Sequence, residues 1–175
     1  MRRVFFIGII LAFLHSPAIA GPNDNVTVLH DTDSTRKFPG QGTVANWHAG
    51  QDRCRAGLVA LKAKDYDRAV ADSEDAIRIY PYEAAFYNQL AVALWQRKKT
   101  GDLELGIKYV KKAVDISPET FNYWDNLAKA LVGIDKLQEA RDALVHGSQC
   151  KTTPEQAAEI KVNIGIIDQA LAKQQ

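Results

Sequence analysis

The stretch that decides the fold is Lys64-Asp65-Tyr66-Asp67-Arg68-Ala69-Val70, which continues through Ala76 and closes at Tyr80-Pro81. A polar turn precedes a helical run with small residues at Ala69 and Ala76, and the proline cannot continue that helix. The same shape returns over residues 101–107, closing at 117–118, and over residues 135–140, closing at 147. A period of about 34 residues predicts a row of stacked helical hairpins.

A second helix precedes each of these runs and carries a pair with a small second residue: Ala56-Gly57, Leu90-Ala91 and Leu127-Ala128. The first hairpin is predicted to start at Thr43 as N-cap, with helix A to about residue 63 and helix B over about 66–79. In the second hairpin, helix B covers about 102–116, and three extra residues before it predict a longer helix A or a looser turn. The third hairpin places Leu137, Ala140, Leu144 and Gly147 on its helix B.

The last segment is predicted to form a helix of its own. Thr153 suits the N-cap, Pro154 the first helical position and Glu155 the first turn. A stripe with spacings of three and four residues faces the third hairpin: Ala157, Ile160, Ile164, Ile167 and Leu171. Val162 and Ile166 widen this stripe, so self-association through the helix is an open alternative.

The three hairpins resemble tetratricopeptide repeats. Tyr66/Ala69/Ala76/Pro81, Tyr87/Leu90/Ala91/Leu94 and Trp124/Leu127/Ala128/Leu131 match the family pattern, while Arg53, Ala56, Gly106 and Gly147 depart from it. The resemblance covers about residues 50–150. It implies an all-α fold: a right-handed solenoid of three hairpins over residues 43–151, with a capping helix over residues 152–175.

The first twenty residues have the pattern of an export signal. Arg2 and Arg3 precede an apolar run over residues 4–14, and Ala18-Ile19-Ala20 is a small-x-small cleavage site. Cleavage would leave 20 basic against 21 acidic residues, a net charge of about −1. That balance disfavours nucleic acid as the main partner. We expect a mature chain without a membrane span, in the bacterial periplasm or secreted.

Residues 21–42 lack a helical period and predict an extended arm or linker. Residues 26–29 are compatible with a short strand, and residues 30–33 hold potential metal ligands that are better explained as a solvated linker. Asn25 would accept a glycan only in a eukaryotic secretory route.

The two cysteines, Cys54 and Cys150, fall on the first helix A and the end of the third helix B. Packed helix axes lie about 8–10 Å apart, and a disulfide needs Cα atoms within about 7 Å, so an intrachain bond is disfavoured. Cys150 is expected to be a small core residue, and Cys54 a groove residue open to an intermolecular partner.

Signatures of catalysis are missing from the sequence, which has no Gly-rich phosphate loop, Cys-x-x-Cys or His-Glu-x-x-His. His48 and His146 have no second ligand at helical spacing, and Asp72 with its acidic neighbours is expected on a solvated helix face. We therefore predict no enzyme activity, cofactor or metal.

The resemblance implies a working surface on the concave side, lined by the A helices. The residues expected there are Cys54, Leu58, Leu61, Asn88, Val92, Trp95, Asn122, Asp125 and Lys129. Amides and apolar anchors suit an extended or helical peptide. The Lys, Asn and Arg clamp with which some family members hold a terminal carboxylate is expected to be absent, because only Lys129 is cationic.

We predict an exported adaptor that binds a protein or peptide segment in this groove. The alternative is a structural or assembly subunit of an envelope complex, acting through self-association, as in a homodimer, or through a Cys54 cross-link. The basic turn Arg97-Lys98-Lys99 is expected to be a solvated rim, with an acidic partner as the other option.

Overall fold

The computed structural model describes residues 37–38 and 42–174. The export signal, the strand expected over 26–29, and the polar run 30–33 lie outside the described residues. Within them the fold is all-α apart from one short strand pair, as predicted. The chain divides at Ile116/Ser117 into two compact units. Their described parts are residues 37–116, without the gap at 39–41, and residues 117–174.

A strand pair precedes the first helix. Strands β1 (Lys37–Phe38) and β2 (Gly42–Thr43) run antiparallel, with Lys37 opposite Thr43. The sequence predicted an arm without strands at this place. Thr43 ends the strand and also caps the helix that follows, because its hydroxyl accepts a hydrogen bond from Asn46 N at 3.1 Å.

The first unit contains four helices in two hairpins. They are α1 (Val44–Lys62), α2 (Tyr66–Ile79), α3 (Ala84–Arg97) and α4 (Asp102–Ile116). The predicted bounds of the two B helices, α2 and α4, are confirmed to the residue. Asp65 caps α2 by accepting from Arg68 N at 3.2 Å, and Tyr80-Pro81 ends it.

The small residues of the repeat lie where helices of this unit meet. Ala69 and Ala76 of α2 and Ala91 of α3 are fully buried, beside the large side chains of Leu90 and Phe86. A methyl-sized residue allows two backbones to approach, and the neighbouring large residues fill the remaining space. The pattern therefore predicted the core of this unit correctly.

The extra residues of the second hairpin fall in both its helix A and its turn. Helix α3 continues six residues beyond Ala91, whereas α1 and α5 continue five beyond Gly57 and Ala128, and the turn after α3 is also longer. It has four residues, 98–101, against three in the turns 63–65 and 134–136. Gly101 has φ +84° and Lys98 has φ 59°. Glycine adopts this left-handed region without strain, whereas lysine does not.

The second unit contains three helices: α5 (Phe121–Gly133), α6 (Leu137–Ser148) and α7 (Pro154–Ala172). α5 and α6 form the third hairpin, and α7 packs on α6. The predicted cap of α7 is confirmed, because Thr153 Oγ1 accepts from Gln156 N at 3.3 Å and Gln156 Oε1 accepts from Thr153 N at 2.9 Å. Ile160 and Ile167 are buried as expected.

Candidate functional site

The predicted groove residues divide between the two units. Cys54, Leu58 and Leu61 of α1 and Asn88, Val92 and Trp95 of α3 belong to the first, whereas Asn122, Asp125 and Lys129 of α5 belong to the second. Each group is described within its own unit.

Cys54 lies in the seam between α1 and α3, with 4% of its surface exposed. Its thiol donates to Gln89 Oε1 at 2.8 Å, while Gln89 Nε2 donates to the Cys54 carbonyl at 2.7 Å and to Ser73 Oγ at 3.3 Å. This buried polar cluster ties three helices together. The prediction that Cys54 lies open in a groove is wrong.

The Cys54 thiol also has low reactivity. Burial, together with the nearby Glu83 carboxylate, raises its pKa to about 12. The thiolate is the nucleophilic form of cysteine, so this side chain is poorly suited to disulfide exchange at neutral pH. Both cysteines of the chain are free thiols. The cross-linking alternative therefore has no support at Cys54.

Gln89 is the residue of this seam that the sequence did not single out for packing. A Cβ built on Gly57 would lie 2.6 Å from Gln89 Nε2, so Gly57 is small because an amide occupies the space. The available signal was a polar residue directly before the apolar pair Leu90-Ala91. A side-chain amide is tolerated in a protein core when its oxygen and its nitrogen both have hydrogen-bond partners.

Leu58 and Val92 form a partly exposed pair beside the seam. Short connections make successive helices antiparallel, so α1 and α3 run in the same direction. Leu58 and Val92 then lie about one turn beyond the contact between Cys54 and Gln89. Both side chains are half-buried, as is Asn88 one turn earlier on α3. These residues offer apolar surface next to an amide.

Leu61 is the last predicted groove residue of α1, and Trp95 is the last of α3. Both side chains pack against other helices of the first unit. Leu61 packs against the buried cluster formed by α1, α2 and α3. The Trp95 indole N–H donates to the Leu103 carbonyl at 3.3 Å, and a Cβ built on Gly106 would lie 2.2 Å from Trp95 Nε1. Trp95 therefore packs on its own hairpin partner, α4, and its removal would disturb that packing.

In the basic turn 97–99, Lys98 and Lys99 are exposed, as expected of a solvated rim, whereas Arg97 is largely covered. Arg97 donates to both carboxylate oxygens of Asp102, at 2.7 and 2.9 Å, and Lys99 Nζ lies 2.6 Å from Asp67 Oδ1 on α2. The guanidinium of Arg97 lowers the pKa of Asp102. The acidic partner of this turn lies in the same chain.

Asp72 is also misplaced by the sequence prediction. It is buried, not solvated, and it lies 3.5 Å from Arg53 Nη1 and 3.6 Å from Arg68 Nε. Arg53, which departs from the family pattern, is therefore the partner of an equally unusual buried carboxylate. This ion pair joins α1 to α2.

In the second unit Asp125 and Lys129 bind each other. Lys129 Nζ lies 2.7 Å from Asp125 Oδ2 and 3.8 Å from Glu159 Oε1 on α7. Burial raises the pKa of Asp125, against the opposing effect of Lys129. Two carboxylates surround one ammonium, so Lys129 is already neutralised. Asn122, one turn before Asp125, is half-buried.

A shallow cleft lies where α5 and α6 meet the connection before them. Trp124 and His146 stack with ring centroids 4.8 Å apart, and Trp124 Nε1 donates to the Pro118 carbonyl at 2.7 Å. Cys150 also lines this cleft and is half-exposed, so the prediction that it is a core residue is wrong. Burial and the Glu119 carboxylate raise its pKa.

Within the described residues, no three His, Cys, Asp or Glu side chains lie where they could hold a metal ion together. None of the helices in that part of the chain has the length and apolar character needed to cross a bilayer.

Sequence comparisons match part of the chain. The family model described as tetratricopeptide repeat matches residues 84–120, which contain α3 and α4. Stress-induced-phosphoprotein 1 of Caenorhabditis elegans is 31% identical over 75 residues, or 43% of this chain and 22% of that protein. The chain thus matches less than a quarter of that relative.

Solved structures share the fold over a longer stretch. The first TPR of Spaghetti (RPAP3), bound to the HSP90 peptide SRMEEVD, has a TM-score of 0.64 at 18% identity and covers 72% of this chain and 95% of its own. The type III secretion chaperone SycD of Yersinia enterocolitica, in complex with a peptide of the translocator YopD, has a TM-score of 0.62 at 14% identity. It covers 71% of this chain and 94% of its own.

Proposed function

We propose, from the premise that this chain is a tetratricopeptide repeat protein, that it is an adaptor binding a peptide segment through helices α1 and α3 of its first unit. The observation that carries the proposal is the half-exposed set Leu58, Asn88 and Val92 on α1 and α3. Two proteins of the same fold hold peptides, one from HSP90 and one from YopD. Partly exposed apolar side chains such as Leu58 and Val92 suit a peptide, because they offer anchoring area for its side chains.

The chemistry of these residues favours an uncharged, apolar peptide. Leu58, Asn88 and Val92 carry no charge, and the nearby Gln89 amide is consumed by Cys54 and Ser73. In the second unit Lys129 is neutralised by Asp125 and Glu159. The HSP90 peptide in the Spaghetti structure has three acidic residues, and neither unit offers an unpaired cation among the predicted groove residues for such a ligand.

The test uses a random peptide library displayed on phage and the purified protein. We expect selection to enrich apolar peptides, and a synthetic peptide from the enriched set to bind in solution. Val92→Arg introduces a charge into the half-exposed set and should weaken that binding by about tenfold or more. Titration calorimetry with the synthetic peptide measures the change.

The matched control is Leu105→Arg, which places the same charge on α4, a B helix, where Leu105 is 37% exposed. It should leave peptide affinity unchanged. Equal weakening by both variants, or a library without enrichment, would refute the peptide-binding proposal. Trp95→Ala is a poor probe, because it also removes the hydrogen bond to Leu103 and the contact with Gly106.

We also propose that the protein works outside the cytoplasm, in the bacterial periplasm or as a secreted protein. The support is the basic start, the apolar run and the small-x-small site within residues 1–20. The proposal includes no catalytic role. An envelope complex held by a Cys54 cross-link is not proposed, because that thiol is buried and its pKa is raised.

A further inference from the structure

The face of α7 that points away from its unit has an apolar centre at Val162 and Ile166, while the opposite face packs on α6. Val162 is 60% exposed, and Ile166 lies one turn further along the same face. Gly165, between them, has open space around it, because a Cβ built there meets no atom within 4 Å. Ile160 and Ile167 point the other way and are buried against the unit.

Two carboxylates at the margins of this face are bound to the helix's own unit, whereas Lys161, directly before Val162, is exposed. Glu159 lies 3.8 Å from Lys129 on α5, and Asp168 lies 2.6 Å from Arg141 on α6. Glu155 in the first turn and Lys173 just after the last turn are exposed at the two ends of this face, and the exposed amide of Gln169 lies between Ile166 and Lys173. The face therefore runs from an acidic end through an apolar centre to a basic end.

We propose that the outer face of α7 binds the same face of a second copy of this chain, with the two helices antiparallel about Ile164. This arrangement sets Val162 of one copy against Ile166 of the other, and Glu155 against Lys173, at both ends. A two-fold contact repeats each pairing, so the face is complementary to itself. A parallel pair would place Glu155 against Glu155 and Lys173 against Lys173, which is repulsive.

The contact is small, and this sets its strength. The face extends over residues 155–173, about 27 Å of helix. A contact between two single helices lies at the lower end of specific protein interfaces. We therefore expect a reversible dimer that forms with rising protein concentration. The inference goes beyond the proposed function and does not depend on it, because Leu58, Asn88 and Val92 belong to the other unit.

Sedimentation velocity tests the dimer. The sample is the protein purified from its host cell in the form that accumulates there. Across about 10 µM to about 500 µM, the weight-average mass should rise from that of a monomer toward twice that value. A mass that stays at the monomer value throughout this range would overturn the proposal, including the case in which another segment of the same chain covers the face.

Val162→Glu should abolish the rise in mass, because it places a carboxylate against Ile166 of the other copy in both symmetry-related pairings. The matched control is Val59→Glu on α1, where the valine is 67% exposed and should tolerate the change without effect on mass. Circular dichroism confirms that both variants keep their helices. Loss of the dimer in the Val59 variant alone would place the interface elsewhere and refute the proposal.

A charge exchange tests the antiparallel orientation. Glu155→Lys or Lys173→Glu alone should weaken the dimer at least severalfold, since each puts like charges together at both ends. The double exchange Glu155→Lys with Lys173→Glu should restore wild-type association. If the double variant is as weak as the single ones, the antiparallel pairing is wrong.

Discussion

At the scale of single residues, Cys54 shows how burial changes the chemistry of a position. The repeat pattern places Cys54 in line with Leu58, and from the sequence both positions look equally open to a ligand. The structure separates them, because the Gln89 side chain reaches across from α3 and binds the Cys54 thiol and carbonyl. One residue becomes part of the core and the other remains at the surface.

We expect the folded protein to expose one reactive thiol to a disulfide reagent at pH 8, and two in denaturant. Cys150 is half-exposed, whereas Cys54 is buried with a pKa raised to about 12, so almost none of it is thiolate at that pH. The absorbance of the released thiol measures the count. Cys150 should react more slowly than an unstructured peptide thiol, because its pKa is raised as well.

Cys150→Ser supplies the control for this experiment. The variant should release no thiol signal when folded and one equivalent when unfolded. Rapid labelling of Cys54 in the folded Cys150→Ser protein would contradict the buried seam between α1 and α3.

At the scale of elements, the packing of a helix pair can require a glycine, because a neighbouring side chain occupies the space of its missing Cβ. Gly106 of α4 has its missing Cβ under the Trp95 ring of α3, at 2.2 Å from Nε1. Gly165 of α7 has free space at the same point. The two glycines are alike in sequence terms, each inside a helix, but only one is required by its neighbour.

Gly106→Ala should lower the free energy of unfolding by about 1–2 kcal/mol. Alanine favours the helix by about 1 kcal/mol, but its methyl group must displace Trp95 and break the hydrogen bond to Leu103, which costs more. Gly165→Ala should instead raise the free energy of unfolding by about 0.5–1 kcal/mol. Urea unfolding at low protein concentration, where α7 is unpaired, measures both.

The test of the cause is the background Trp95→Leu. In it, Gly106→Ala should no longer destabilise, because the smaller side chain leaves room for the methyl group. A loss of stability that persists in that background would show that something other than Trp95 requires the glycine.

At the scale of the whole molecule, the first unit offers the candidate peptide surface on α1 and α3, and the second offers the apolar face of α7. These surfaces belong to different compact units. An adaptor that binds a peptide with one unit and a second copy with the other would hold two peptides per dimer. If residues 1–20 direct export, this assembly would form outside the cytoplasm.

Protein isolated from its host should begin at Gly21, because cleavage is expected after Ala18-Ile19-Ala20. Intact-mass spectrometry and N-terminal sequencing check this start. Ala18→Arg should block cleavage, since the first of the two small positions no longer fits the peptidase. Ile19→Arg, at the position between them, should be cleaved normally. An N-terminus that retains residue 1 or 2 in the wild type would refute export by this signal.

The positions of the helices were readable from the sequence because they depend on local chemistry. The breaker Pro81, the cap at Thr153 and the spacing of small and apolar residues predicted α2, α4 and α7 correctly. Local signals of this kind involve residues within one or two turns of each other, and their geometry is set by the helix itself.

The candidate site depended on contacts that no local pattern contains. The burial of Cys54 requires Gln89, 35 residues away, and the pairing of Lys129 with Glu159 joins helices separated by α6. A repeat period shows which face a residue occupies, but not whether a long side chain from the next element covers it. The sequence by itself determined the all-α hairpin fold. The tertiary structure decided which positions on those helices stay accessible, because accessibility depends on distant side chains that fold onto the same face.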